Sequence, residues 1–361
     1  MSGKKVNVLF APDYRKDVPY QRFLADALAG EGINVSFLSG YCRFLPIYRG
    51  YLRMKPRPDI VHLHWPDAYF KSRNAIIRQL RKFRYFLDLQ LLSYSSSLVF
   101  TAHNLYPHNR KNEFLIKAIM RYSLRCADLV FVHSVSCVSA MKYEFGMDTA
   151  KCELIPHGDY GAQYLPPLEK RISRQKLGLS EDSGSRVCLM IGAISPYKGL
   201  LEVVRAWLEQ AIPHRLVIAG PISNGAYADQ LTQLAQTSKQ IELYISENGL
   251  SDEDLRHWLS AADCAIFNYT DIFTSGAASL ARSFGLPLLI PSRLIHAELG
   301  EPHSHVFRFQ SLENDFAQVL KKALRVKPDC NASAEWRAWT DWARVARITA
   351  AAYAKLLPEV S

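Results

Sequence analysis

No stretch of this 361-residue chain is apolar for long enough to span a bilayer, and Met1 to Phe10 leads into a strand-like pattern, not a signal-type apolar segment. The expected location is therefore the cytosol. Cysteine is sparse: the seven residues Cys42, Cys126, Cys137, Cys152, Cys188, Cys264 and Cys330 are odd in number, widely spread and never in C-x-x-C spacing. That indicates neither a disulfide framework nor a zinc cluster, and several sit in apolar runs as buried thiols would. The pair His62 and His64 has no H-E-x-x-H or similar companion, so the metallohydrolase pattern is incomplete. Helix-turn-helix, RNP and zinc-finger signatures are also missing, which leaves the positive charge of the chain without a nucleic-acid docking geometry. No internal repeat of short period is visible.

What is present is an ordinary globular composition, 48% hydrophobic and 22% charged, long enough for two cores. The charge is uneven. Residues 1–160 hold 23 Lys and Arg against 13 Asp and Glu, a net of +10, while residues 161–361 hold 21 of each and are neutral.

Strand and helix patterns alternate throughout, which argues for an α/β fold with parallel sheets. Six strand candidates (Val6 to Phe10, Val35 to Leu38, Ile60 to His64, Leu98 to Thr101, Leu129 to Val132, Glu153 to Ile155) precede six more (Val187 to Ile191, Arg215 to Ala219, Ile241 to Ile245, Cys264 to Phe267, Leu288 to Ile290, His305 to Phe307). Between the sets, Asp159 to Ser185 is rich in Pro, Gly, Ser and charge and reads as a linker. The expected domains are 1–160 and 161–339. The tail Ser333 to Leu357 carries Trp336, Trp339, Trp342, Ala346, Ile348, Ala352 and Tyr353 at roughly helical spacing, either as core of its own domain or as a brace on the other.

Two strand ends carry the strongest chemical signal. Gly192 lets the chain turn after Val187 to Ile191, and Ser195 and Lys198 precede the helical spacing of Leu200 to Leu208. A cation beside backbone N–H groups and the positive end of a helix dipole suits a diphosphate. Further on, Ser275 and Gly276 open a helix that runs to Phe284, with Asp271 just before it. Each alone is also an ordinary capped βα turn.

The order of these pieces is what resembles a family. From residue 187 to 287 the chain is similar to the donor-binding domain of GT-B glycosyltransferases of the GT4-like kind: Gly192 to Gly199 (G-x-I-x-P-Y-K-G), Leu216 to Gly220, Ile245 to Leu255, Ala262-Asp263, and the Ser275-Gly276 helix closing at Phe284 to Pro287. Wording such as Asp271 to Ala277 lies nearest the divergent bacterial exopolysaccharide transferases, mannosyltransferases among them. Two positions depart from the common pattern. The Arg expected five residues before Lys198 is Ala193, and the paired glutamates would fall at Ile272 and Leu280. Inverting or retaining outcome stays open.

The resemblance implies a GT-B fold: two Rossmann-like domains facing across a cleft, an acceptor-binding N-terminal one and a donor-binding C-terminal one, with residues 340–361 crossing back to the first. It implies a metal-independent hexosyltransferase without cofactor, in which Gly192, Ser195, Lys198, Gly220, Asp271, Ser275 and Gly276 bind the nucleotide-sugar donor. A histidine at the strand end of Phe100 to Asn109 would face the reacting sugar, and His103 is the matching position. His103, Asp13 and Asp67 are candidates for the base that an inverting transfer needs. His64 and Trp65 would line the acceptor side, an indole beside a carboxylate being a natural sugar platform. His157 stands at the interdomain glycine turn, to contact the donor phosphate or to cap the turn.

Lys71 to Leu92 interleaves Lys71, Arg73, Arg78, Arg81, Lys82 and Arg84 with apolar residues. A basic amphipathic helix is what a membrane-surface anchor looks like, and Arg78, Arg81, Lys82 and Arg84 would touch anionic lipid. A charged face over a core stripe reads as well. The expected partners are a nucleotide sugar, a lipid-linked glycan acceptor and the inner face of the plasma membrane. A sugar-nucleotide epimerase of the same fold, or a nucleotide-binding module without catalysis, are the alternatives.

Overall fold

The computed structural model describes residues 5–16, 18–40, 44–70, 72–106, 114–179, 185–270, 274–294 and 305–357. Lys71 and Asp271 lie outside them, as do Ile272 and Cys42. The chain forms two compact units, one of residues 1–158 with 340–361 and one of residues 159–339.

The strands of the first unit are β1 (Val6–Ala11), β2 (Ile33–Phe37), β3 (Ile60–His64), β4 (Ser97–Thr101), β5 (Leu129–Val132) and β6 (Cys152–Leu154). Those of the second are β7 (Val187–Ile191), β8 (Arg215–Pro221), β9 (Ile241–Ser246), β10 (Cys264–Ile266), β11 (Leu288–Pro291) and β12 (Val306–Phe309). Each set makes one parallel sheet, in the orders β2-β1-β3-β4-β5-β6 and β12-β11-β10-β7-β8-β9. In chain order the helices are α1 (Tyr20–Gly30), α2 (Pro46–Arg53), α3 (Ala75–Ser93), α4 (Phe114–Cys126), α5 (Val135–Phe145), α6 (Lys170–Lys176), α7 (Leu200–Glu209), α8 (Gly225–Ala235), α9 (Asp252–Ala261), α10 (Gly276–Ser283), α11 (Phe316–Ala323), α12 (Ala334–Thr340) and α13 (Trp342–Ala354).

Parallel strands covered on both faces need unbroken apolar runs, and β7 shows why. Cys188 and Met190 enter one core of the second unit, with Trp207 and Phe316, while Val187, Leu189 and Ile191 enter the other, with Trp258 and Phe284. No helix among the described residues is long and apolar enough to cross a membrane.

The segment expected to be a linker contains α6, which is bolted to the amino edge of the second sheet. Lys170 Nζ and Arg174 Nη2 each reach the buried Asp263 carboxylate at 2.6 Å, and Asp263 also accepts the Val187 N–H at 2.7 Å. Short, basic α6 has no apolar period to betray it. The tryptophan stripe of the tail is divided: Trp336 lies under the Arg282 guanidinium in the second unit at 4.0 Å, whereas Trp342 stacks on Phe23 in the first at 5.6 Å. Helix α13 packs on α1 within the first unit.

Candidate active site

In the second unit the carboxyl end of β7 turns at Gly192, whose φ of +116° suits glycine, and Lys198 folds back over it. A Cβ built on Gly192 would lie 2.8 Å from Lys198 Nζ and 3.8 Å from Ala277 Cβ, so the strand end, the ammonium and the first turn of α10 converge. Gly220 is equally constrained: a Cβ there would meet the Gly192 carbonyl oxygen at 2.2 Å. Lys198 is buried and donates to the Tyr269 hydroxyl at 3.2 Å, with its Nζ 4.6 Å from the centre of that ring. Burial lowers its pKa, and the Tyr197 phenol beside it offsets only part of that. Tyr269 continues the chain of contacts, its hydroxyl 2.9 Å from Ser275 Oγ, and Ser275 caps α10 by accepting the Ala278 N–H at 3.2 Å.

Lys198, Ser275, Gly276 and Gly192 are thus brought together, and Tyr269 is the link that sequence reading missed. It follows β10 with no motif of its own. Asn268, also missed, donates to the Gly199 carbonyl at 3.0 Å and accepts from exposed Arg293 at 2.8 Å, placing a second cation at this strand edge. Ser195 is half-buried, and its carbonyl accepts the Lys198 N–H at 3.0 Å. One detail is corrected. The first N–H groups of α7 do not stand open beside Lys198, because Leu200 and Leu201 donate theirs to the Tyr227 hydroxyl at 3.0 and 3.1 Å. The positive helix end left beside Lys198 is that of α10.

In the first unit Trp65, Asp67, Thr101, His103 and Asn104 line a small, solvent-open pocket of about 30 Å³ at the carboxyl ends of β3 and β4. Trp65 is held at φ +40° and lies flat on His103, centroids 3.7 Å apart and planes 13° from parallel. Structure therefore gathers His103, Trp65 and Asp67, with His64 alongside at 3.1 Å from His103. Both ring nitrogens of His103 are engaged by other histidines, and burial pushes its pKa well below the usual value. Asp13 is bound by Arg15 through two contacts of 3.0 and 2.9 Å, which lower its pKa and leave it a weak base. His157 is buried against its own loop, Nδ1 3.3 Å from the Gly158 carbonyl. The Trp342 ring would lie 2.5 Å from any Cβ on Gly158.

Basic helix α3 is turned over relative to expectation. Lys82 and Arg84 are buried, Arg84 donating to the Tyr69 carbonyl at 2.8 Å, so neither touches a surface; Arg78 and Arg81 are half-buried. Exposed instead are Ile76 (73%), Leu80 (63%) and Phe83 (65%), with Ile77 and Leu87 beside them.

Two parallel six-stranded sheets, each flanked by helices, give this chain a GT-B fold. Residues 3–158 match the model of Glycosyltransferase Family 4, the half opposite to the one whose motifs carry the resemblance in sequence. The chain is 23% identical to a GDP-mannose:glycolipid 4-beta-D-mannosyltransferase of Xanthomonas campestris, over 99% of this chain and 94% of that protein. Among solved structures it is similar to sucrose-phosphate synthase from Thermosynechococcus elongatus (TM-score 0.73, 16% identity, 98% of this chain and 99% of that one). The HepE protein of Anabaena in complex with UDP-glucose is also similar (TM-score 0.69, 14% identity, 97% and 100%).

Proposed function

We propose that this glycosyltransferase moves a hexose from a nucleoside-diphosphate donor, GDP-mannose, to a lipid-linked oligosaccharide in bacterial exopolysaccharide assembly, working as a peripheral protein on the inner face of the plasma membrane. The observation that carries the donor side is the buried ammonium of Lys198 at the N-terminus of α10. Positive charge fixed there balances the departing diphosphate without a divalent metal, and it costs no reorganisation during reaction. GDP-mannose is favoured by the Xanthomonas relative, whose name specifies that donor and a glycolipid acceptor. On the acceptor side the Trp65 face and the Asp67 carboxylate line one pocket, as sugar C–H groups and hydroxyls require.

Membrane attachment is supported by the Ile76, Leu80, Phe83 stripe on α3, with Arg49 and Arg53 exposed on α2, Lys55 and Arg57 just after it and Arg73 just before α3. Apolar insertion and attraction to anionic lipid then act together.

Thermal shift with GDP, UDP, ADP and dTDP and their sugars, with and without magnesium, tests the donor side, because a ligand of the folded state raises stability by mass action. A shift with GDP that is independent of magnesium and lost in K198A is expected; a panel without any shift would remove the donor site. Product from donor alone, with no acceptor, would make the protein an epimerase.

A further inference from the structure

Four neighbouring strands of the first unit each deliver a histidine to the carboxyl edge of the sheet: β3 ends in His64, and His103, His133 and His157 follow β4, β5 and β6. Their rings succeed one another with centroids 5.4, 5.3 and 5.1 Å apart, and Tyr20 from the first turn of α1 lies against all four at 4.7–5.9 Å. Three of them are joined nitrogen to nitrogen. His64 Nδ1 is 3.1 Å from His103 Nε2, His103 Nδ1 is 3.5 Å from His133 Nε2, and His133 Nδ1 is 3.1 Å from the Ile155 carbonyl oxygen.

A carbonyl only accepts, and a neutral imidazole has one donor and one acceptor nitrogen. His133 must therefore carry its proton on Nδ1 and offer Nε2. His103 Nδ1 must then be a donor, which makes its Nε2 the acceptor for His64 Nδ1–H. One carbonyl at the end of the row fixes three tautomers, and His64 Nε2 is left as a lone pair with no partner among the described residues. The row needs His103 and His133 neutral, because a proton added to either would set two donors against each other, whereas a proton on His64 would sit on the unpartnered Nε2. Burial keeps all three neutral, holding His64 down to about 3 and His103 and His133 well below the usual value.

We propose that His133 is a positioning residue: anchored on the Ile155 carbonyl, it locks the tautomers and orientations of His103 and His64, and through His103 it holds the Trp65 platform at the acceptor pocket. His103 is then a support and not the base, since both its nitrogens are spent within the row. The purpose of this device rests on the acceptor-side reading above; its geometry does not.

Long-range proton–nitrogen correlation on histidine-labelled protein at neutral pH reads which ring nitrogen carries the proton. Nδ1–H is expected at His64, His103 and His133. H133L, which removes the acceptor for His103, is expected to shift His103 and His64 toward Nε2–H and to move the Trp65 indole resonance. H133Q, whose amide again offers an acceptor to His103 and a donor to Ile155, is expected to restore both. An Nε2–H signal at any of the three rings in the wild type overturns the proposal even where H133L does not fold, and so does H133L with wild-type ring signals. GDP serves as the separate probe. Wild-type protein with three Nδ1–H rings but no stabilisation by GDP would sink the donor reading and leave the row standing.

Discussion

At the scale of single residues, the donor turn is an unusual use of lysine. Lys198 is removed from water against the Tyr269 hydroxyl and the Tyr197 and Tyr269 rings, an arrangement that costs stability until an anion arrives. A hydrogen bond to a charged group contributes about 1.5–3 kcal/mol, so K198A should weaken GDP binding roughly tenfold to a hundredfold in calorimetry. Removing the ligand's partner should also remove the desolvation cost, so the same variant without nucleotide should melt no lower than wild type. Y269F keeps the ring but cuts the hydroxyl link between Lys198 and Ser275; a loss of affinity of only a few-fold is expected from one neutral hydrogen bond of about 1 kcal/mol. K198A with undiminished GDP affinity would take Lys198 out of the site. Sequence made Lys198 and Ser275 legible because each sits in a glycine-bearing turn. Tyr269 and Asn268 were not, since their role comes from the neighbouring strand and no local pattern encodes a neighbour.

At the scale of elements, the strands were readable because a parallel strand buried on both faces must be apolar at every position, as in Val187 to Ile191. Helix α3 was not, for it carries two apolar stripes. Tyr85, Leu89 and Leu92 face the interior while Ile76, Leu80, Phe83 and Leu87 face out, and periodicity alone cannot rank them. Replacing Ile76, Leu80 and Phe83 together by serine should abolish sedimentation with anionic vesicles while leaving GDP binding intact. Each such side chain contributes about 1.5–3 kcal/mol when it leaves water, more than a single Arg contact of about 1 kcal/mol. Monomeric variant and dimeric wild type in light scattering, without vesicle binding by either, would instead assign the stripe to a second copy of the chain. The same helix holds α2 in place: Leu45, at the N-cap position of α2, offers no side-chain cap, and Asp88 Oδ1 accepts the Tyr48 N–H at 2.9 Å in its stead. Burial raises Asp88 to about 6, so its charged form is disfavoured in the fold. D88N keeps an acceptor for Tyr48 without the charge, and should melt at or above the wild-type temperature at pH 8, whereas D88A should lose the cap, about 1 kcal/mol. A D88N protein much less stable than wild type at pH 8 would mean that the carboxylate charge is itself stabilising.

At the scale of the molecule, titration divides the chain unequally. His62, His64, His103, His133 and His157 all belong to the first unit, and burial depresses every one, His64 to about 3 and His157 to about 4. Above the unfolded value of about 6.5 both states are neutral and these groups contribute nothing to the pH dependence. Below it the unfolded chain binds protons that the fold refuses, so stability falls as pH drops from about 6.5 toward the folded values, by up to about 1.4 kcal/mol per pH unit for each histidine. Asp88 acts in the opposite sense. Its folded pKa is raised, so between about 6 and its unfolded value the fold takes up a proton the unfolded chain does not, and acid favours it. Five groups outweigh one. The first unit should therefore unfold well before the second at pH 5, while the two should be closer at pH 7.5. Calorimetry at both pH values, with GDP added to mark the second unit by its ligand-induced shift, reads the two transitions separately. A first-unit transition equally high at pH 5 would require these buried rings to accept protons inside the fold, against the desolvation that depresses each of them.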